Sequence, residues 1–200
     1  FLNKIKNRKI WCAASTHPTE EILCAKSHKN IKEKYDEALT IIIPRHIDRV
    51  NKINEELSKL NLKIVMSSNL NELNNETDIL LVNSYGEALN FYNISKCVFL
   101  GKSLVESLIN DSGQNPIEPA RLGCKILHGP NVSNFAETYS YFKTLGITKE
   151  IKNSDELGLS VVEEFNANEP KNQEVGKKIE QYGLSVLNNV ANEIKKYINT

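Results

Sequence analysis

The feature that most constrains this chain is a set of six short apolar runs that do not alternate with polar residues. They span 10–15, 39–44, 63–68, 78–83, 96–101 and 124–129. Each is rich in β-branched residues and bounded by polar residues or glycine, the pattern of a buried strand. A strand wetted on one face alternates; one covered on both faces does not, which favours a parallel sheet. Segments with helical spacing lie between the runs. The stretch 18–31 opens with Pro18 and places Glu20 and Glu21 in its first turn, where the helix dipole favours acids. Val50, Ile53, Leu57 and Leu60 share one face of a helix over 49–60. Shorter helices are predicted over 87–92, 116–122 and 135–145, the last two stopping before Gly123 and Gly146. Strand and helix in alternation give an α/β fold, a doubly wound parallel sheet.

The tail follows another rule. Val175, Ile179, Tyr182, Val186, Val190 and Ile194 recur every three or four residues, so one long amphipathic helix is predicted. Gly176 and Gly183 are its weak points. Its apolar stripe packs either on the sheet domain or on a neighbour outside this chain. The chain therefore divides into a domain over 1–170 and a helical tail over 171–200.

Twenty-five basic residues balance 25 acidic ones, which argues against a nucleic-acid partner. The chain opens on Phe1, has no signal-peptide pattern there, and lacks the roughly 20-residue apolar run that spans a bilayer. It reads as soluble and cut from something longer. Cys12, Cys24, Cys97 and Cys124 form no CxxC pair, so they are predicted to be buried thiols and not metal ligands. Walker A, GxGxxG and GxSxG patterns are absent.

A doubly wound sheet binds ligands at the carboxyl ends of its strands. After the first run, either Ser15 and Thr16 bind a phosphate or carboxylate, or Thr16 or His17 caps a helix. After the second, Arg45 clamps an anion or forms a surface salt bridge, and His46 caps or is exposed. After the fourth, Gly86 admits a ligand or makes a tight turn, and Glu87 takes a sugar hydroxyl or caps a helix. After the fifth, Gly101, Lys102 and Ser103, with Ser112 to Pro119, suit a phosphate beside a helix start. There Glu118 offers two acceptors to the two hydroxyls of a ribose. Gly129 to Phe135 shape the rim after the sixth, where His128 faces either core or ligand. The loops together read as the nucleotide-sugar-binding half of a glycosyltransferase. No residue stands out as a catalytic base.

These loops, in this order, resemble the C-terminal domain of 3-deoxy-D-manno-octulosonic acid (Kdo) transferases. The resemblance rests on Trp11-Cys12-Ala13-Ala14-Ser15-Thr16-His17-Pro18, Pro44-Arg45-His46, Gly86-Glu87 and Gly101-Lys102-Ser103-Leu104-Val105. It continues through Asn115-Pro116-Ile117-Glu118-Pro119-Ala120, Gly129-Pro130 and Asn134-Phe135. The chain departs from the family pattern at Asn83-Ser84, where the family has Asp-Thr, and at Lys102, where it has a second glycine. It departs again at Ser112-Gly113-Gln114, where the family has two glycines and a histidine.

The resemblance implies a Rossmann-like domain, one half of a GT-B enzyme, with the N-terminal acceptor domain outside this chain. It implies an inverting enzyme that transfers Kdo from CMP-Kdo to a lipid A precursor in lipopolysaccharide biosynthesis. The whole enzyme would sit at the cytoplasmic face of the bacterial inner membrane, with no metal and no other cofactor. The donor-binding residues it implies are Ser15, Thr16, Arg45, Gly86, Glu87, Ser103, Asn115 and Glu118. The catalytic base would lie in the missing domain, leaving this piece inactive alone. Two other readings stay open from the residues: a UDP-sugar transferase or UDP-N-acetylglucosamine epimerase domain, and a non-enzymatic α/β interaction domain.

Overall fold

A computed structural model describes residues 2–104, 112–167 and 173–198. Among them, seven strands form one parallel sheet: β1 (Ile10–Thr16), β2 (Leu39–Pro44), β3 (Ile64–Met66), β4 (Ile79–Leu81), β5 (Cys97–Leu100), β6 (Lys125–His128) and β7 (Thr148–Glu150). Their order is β3-β4-β2-β1-β5-β6-β7. The chain passes from β1 to β2, crosses to the edge at β3, steps back one place to β4, then returns to β5 beside β1 and winds outward through β6 and β7. The topological switch therefore lies between β1 and β5, where ligands of open α/β sheets bind.

Among the described residues, eight α-helices accompany the sheet: α1 (Leu2–Ile5), α2 (Glu20–Lys32), α3 (Val50–Ser58), α4 (Ala88–Ile94), α5 (Ile117–Arg121), α6 (Ala136–Thr144), α7 (Ser154–Asn166) and α8 (Gln173–Ile198). The lack of alternation in the strands now has its cause. Trp11 and Ala13 of β1 join a core with Ile31 of α2, Ile53 of α3 and Val161 of α7. Their neighbours Cys12 and Ala14 join a second core with Phe91 of α4, Ala120 of α5 and Phe142 of α6. Each face of the sheet is covered, and burying a side chain such as Trp11 or Phe99 contributes about 2 kcal/mol. All four cysteines are buried free thiols, as predicted.

The six predicted strands are present; β3 and β4 are each shortened to three residues. The seventh, Thr148-Lys149-Glu150, is polar because it is a sheet edge. Helix α7 had a readable signal in Leu157, Val161 and Phe165, all buried, at helical spacing. Helix α2 starts at Glu20, two residues after Pro18. Helix α8 runs unbroken through Gly176 and Gly183. Its first turns pack on the sheet domain: Val175 and Ile179 are buried, Tyr182 stacks on Tyr141 at 4.4 Å, and Arg121 pairs with Glu180 at 3.0 Å. Farther along, Leu184, Leu187, Val190 and Ile194 are exposed. The predicted boundary at 170/171 lies outside the described residues, as does Val105.

A polar network closes the amino edge of the sheet. His28, fully buried on α2, places Nδ1 2.8 Å from the Thr40 hydroxyl and Nε2 3.3 Å from the Asp78 carboxylate. Lys32 donates to the same Asp78 oxygen at 2.5 Å, and the Lys63 backbone N–H donates to the other at 2.7 Å. Arg8 donates to the carbonyls of Glu37, Ala38, Asn74 and Thr77. Burial alone would raise the Asp78 pKa; the hydrogen bonds from His28, Lys32 and Lys63 outweigh it and hold this carboxyl below its usual range.

Candidate functional site at the carboxyl edge

The loops that follow β1, β2, β5 and β6 are bonded into one assembly. The Arg45 N–H donates to the Thr16 carbonyl at 3.0 Å, joining the loops after β1 and β2. The β5 loop closes onto the first residue of α2. Backbone N–H groups of Lys102, Ser103 and Leu104 all donate to the Glu20 carboxylate, at 2.8, 3.0 and 3.0 Å. The His17 N–H donates to it as well, at 2.9 Å. Farther on, Gly113 N–H donates to the Lys102 carbonyl at 2.7 Å and Asn131 N–H to the Ser103 carbonyl at 3.0 Å.

Two glycines make this closeness possible. A Cβ at Gly101 would sit 2.5 Å from the Ser15 carbonyl oxygen, and one at Gly129 only 2.2 Å from that of Ser103. These glycines serve the contact of loop with loop. Lys102, standing where the resembling family has glycine, has φ of 56°, in glycine's left-handed region.

The electrostatics favour an anion. His17 and His46 meet edge to face at 5.8 Å between centroids. Burial first, then the neighbouring His46, Lys102, Arg49 and Arg45, pull the His17 imidazole down to about 4. At neutral pH it is an uncharged ring among cations. Arg49 is bound to the buried Glu21 at 3.0 Å, and Glu21 also accepts from the Thr16 hydroxyl at 3.0 Å. Among the described residues, no group of three or more His, Cys, Asp or Glu side chains is placed to hold a metal ion.

The predicted site residues separate into three groups. Half-buried Ser15 and exposed Arg45 flank the switch point. Thr16 and Ser103 are beside them but fully buried. The Ser103 hydroxyl donates to the Leu100 carbonyl at 2.6 Å and accepts from Gly129 N–H at 2.9 Å, so it builds the loop from within. The amides of 102–104, expected to suit a phosphate, are taken by Glu20.

Asn115 and Glu118 are exposed on the next loop and α5. Asn115 Oδ1 accepts from Ile117 N–H at 3.0 Å and starts that helix. Their loop is tied to the β6 side by the Tyr139 hydroxyl donating to the Gln114 carbonyl at 3.0 Å. Gly86 and Glu87 stand apart, after β4 and beyond β2. Gly86 has φ of 84° with open space around its Cα, and the Ser84 hydroxyl donates to Glu87 at 2.5 Å. His128 is resolved as a core group: it is buried against Tyr139 at 4.5 Å between ring centroids.

Sequence reasoning missed Glu20 and Glu21 as parts of the site, reading them as dipole partners. The signal was their position. Both fall on the stripe of α2 that buries Cys24, Ala25, His28 and Ile31. A carboxylate on a buried stripe needs partners.

No family model matches the chain. It is 30% identical over 197 residues to a 3-deoxy-D-manno-octulosonic acid transferase of Haemophilus influenzae, covering 96% of this chain and 45% of that protein. It is 28% identical over 196 residues to the corresponding transferase of Rickettsia prowazekii, covering 97% and 40%. In fold it matches the crystal structure of the C-terminal CMP-Kdo binding domain of WaaA from Acinetobacter baumannii. The TM-score there is 0.76 at 25% identity, over 88% of this chain and 91% of that domain. The chain is similar to Kdo transferases over part of their length. It spans less than half the length of the two Kdo transferases it matches. The structural match is reciprocal: nearly the whole of this chain matches nearly the whole of that domain.

Proposed function

We propose that this chain is the donor-binding domain of a Kdo transferase, and that it holds CMP-Kdo at the carboxyl edge of the sheet. The observation that carries the reading is the pair of cations at the carboxyl edge of the sheet, Arg45 and Lys102, beside a neutral His17. The reciprocal likeness to a CMP-Kdo binding domain supports the choice of donor. CMP-Kdo carries a phosphodiester and a sugar carboxylate, two negative charges that the site must offset. Arg45 suits one of them through paired charge-assisted hydrogen bonds. Ser15 adds a hydroxyl, Thr16 and Ser103 hold backbone in place, and Asn115 and Glu118 face the ribose or sugar. Gly86 and Glu87, two strands from β1 along the same edge, would meet only the far end of the donor.

In the reaction, CMP departs as the nucleotide and its phosphate gains charge, so cations fixed at the donor lower the barrier. A base in the other half of the enzyme deprotonates the acceptor hydroxyl of a lipid A precursor. That half also supplies attachment to the cytoplasmic face of the inner membrane. Among the described residues of this chain, no helix is long and apolar enough to cross a membrane.

Isothermal calorimetry with CMP and UDP tests the reading. CMP is expected to bind in preference to UDP. A preference for UDP would move the domain to the UDP-sugar enzymes, and binding of neither would point to an interaction domain.

A further inference from the structure

Glu20 carries more than the donor-domain reading assigns to it. Its side chain is fully buried at the start of α2. Oε2 accepts from the N–H groups of His17 and Lys102, and Oε1 from those of Ser103 and Leu104. One carboxylate thus spans the switch point and binds the loop after β1 to the loop after β5. Three non-glycine residues of these loops, Ser15, Thr19 and Lys102, have φ of 54°, 82° and 56°. Such conformations persist only where the surroundings over-determine them. Glu20 is the group that touches both strained loops. Its Oε2 also lies 2.7 Å from where a Cβ at Gly101 would sit. Through the carbonyls of Lys102 and Ser103, its hold extends to Gly113 and Asn131 on the next two loops.

We infer that Glu20 is a positioning residue of the donor site: it fixes the backbone of His17 and of 102–104 in one register and so sets where Ser15, His17 and Lys102 meet the donor phosphate. The inference rests on the donor-domain reading. A neutral isostere cannot replace the carboxylate, because glutamine offers one acceptor oxygen and turns N–H donors toward the other two amides. Aspartate is one methylene too short to reach both loops.

The test compares CMP with cytidine, which lacks the phosphate, by calorimetry on the wild-type domain, Glu20→Gln and Glu20→Asp, with thermal melts alongside. CMP affinity is expected to fall about tenfold or more in both variants, and cytidine affinity by less than about threefold. In the wild type, the amide protons of His17, Lys102, Ser103 and Leu104 are expected to shift together in one carboxyl titration. Equal losses for both ligands with a lowered melting temperature would mark a packing role and overturn the inference. Unchanged CMP binding by Glu20→Gln would overturn it and leave the donor-domain reading standing. A wild-type domain that binds neither ligand would overturn both. If the variants do not fold, the wild-type titration decides, and four amides with unrelated midpoints would sink the inference.

Discussion

The two edges of the sheet each bury a carboxylate, and they do it in opposite ways. Asp78 at the amino edge is met by His28, Lys32 and a backbone N–H. Glu20 at the carboxyl edge is met by four backbone N–H groups. The first network is cross-braced by side chains and holds its carboxyl charged. In the second, burial raises the Glu20 pKa, and the four backbone hydrogen bonds pull against that rise. The left-handed backbone of Ser15, Thr19 and Lys102 is also at the second edge. One edge maintains the fold; the other stores strain where a ligand arrives.

The largest break in this comparison is expected from Asp78→Asn. Removing the charge leaves Lys32 and His28 without their partner and is expected to cost about 3 kcal/mol in chemical denaturation. CMP affinity of the folded protein should not change. The pH dependence has a definite sign. A carboxyl depressed on folding contributes stability above its unfolded value, 3.8, and loses it as pH falls through the folded one. The wild type should therefore lose stability in acid below about pH 4, and the variant should show a flatter acid limb.

Arg45→Ala should give the reverse of Asp78→Asn. Its side chain is exposed, so the melting temperature should hold, while CMP binding weakens by about 2 kcal/mol in calorimetry. Lys102→Gly sharpens the contrast further. It removes a left-handed non-glycine residue, which should stabilise the domain by about 1 kcal/mol, and it removes a cation, which should weaken CMP. A gain in stability with a loss of affinity is the signature of strain held for function. The smallest effect is expected from Leu187→Ser on the exposed stretch of α8: under about 0.5 kcal/mol in the melt, with no change in CMP binding.

Much of this was legible in the sequence, for identifiable reasons. Runs such as Leu39 to Pro44 announce strands because both faces of this sheet are covered, and Trp11 and Cys12 feed two different cores. Edge strand β7 was hidden because one edge is solvated and its sequence is correspondingly polar. At the site, polarity after a strand marked the right loops but not the roles within them. Thr16 and Ser103 look like ligand-binding hydroxyls; both are bonded inward to Glu21, Leu100 and Gly129. Glu20 looks like a surface acid at a helix start, and only the approach of the β5 loop, more than 80 positions away in sequence, gives it three of its four partners. Long-range backbone contacts leave no local signature.

The most direct measurement is a CMP titration of the isotopically labelled domain followed by amide NMR. Shifts are expected at Ser15, His17, Arg45, 102–104 and 115–118, while His28, Thr40 and Asp78 at the opposite edge stay still. No shifts at millimolar CMP, or shifts centred on the amino edge, would contradict the account.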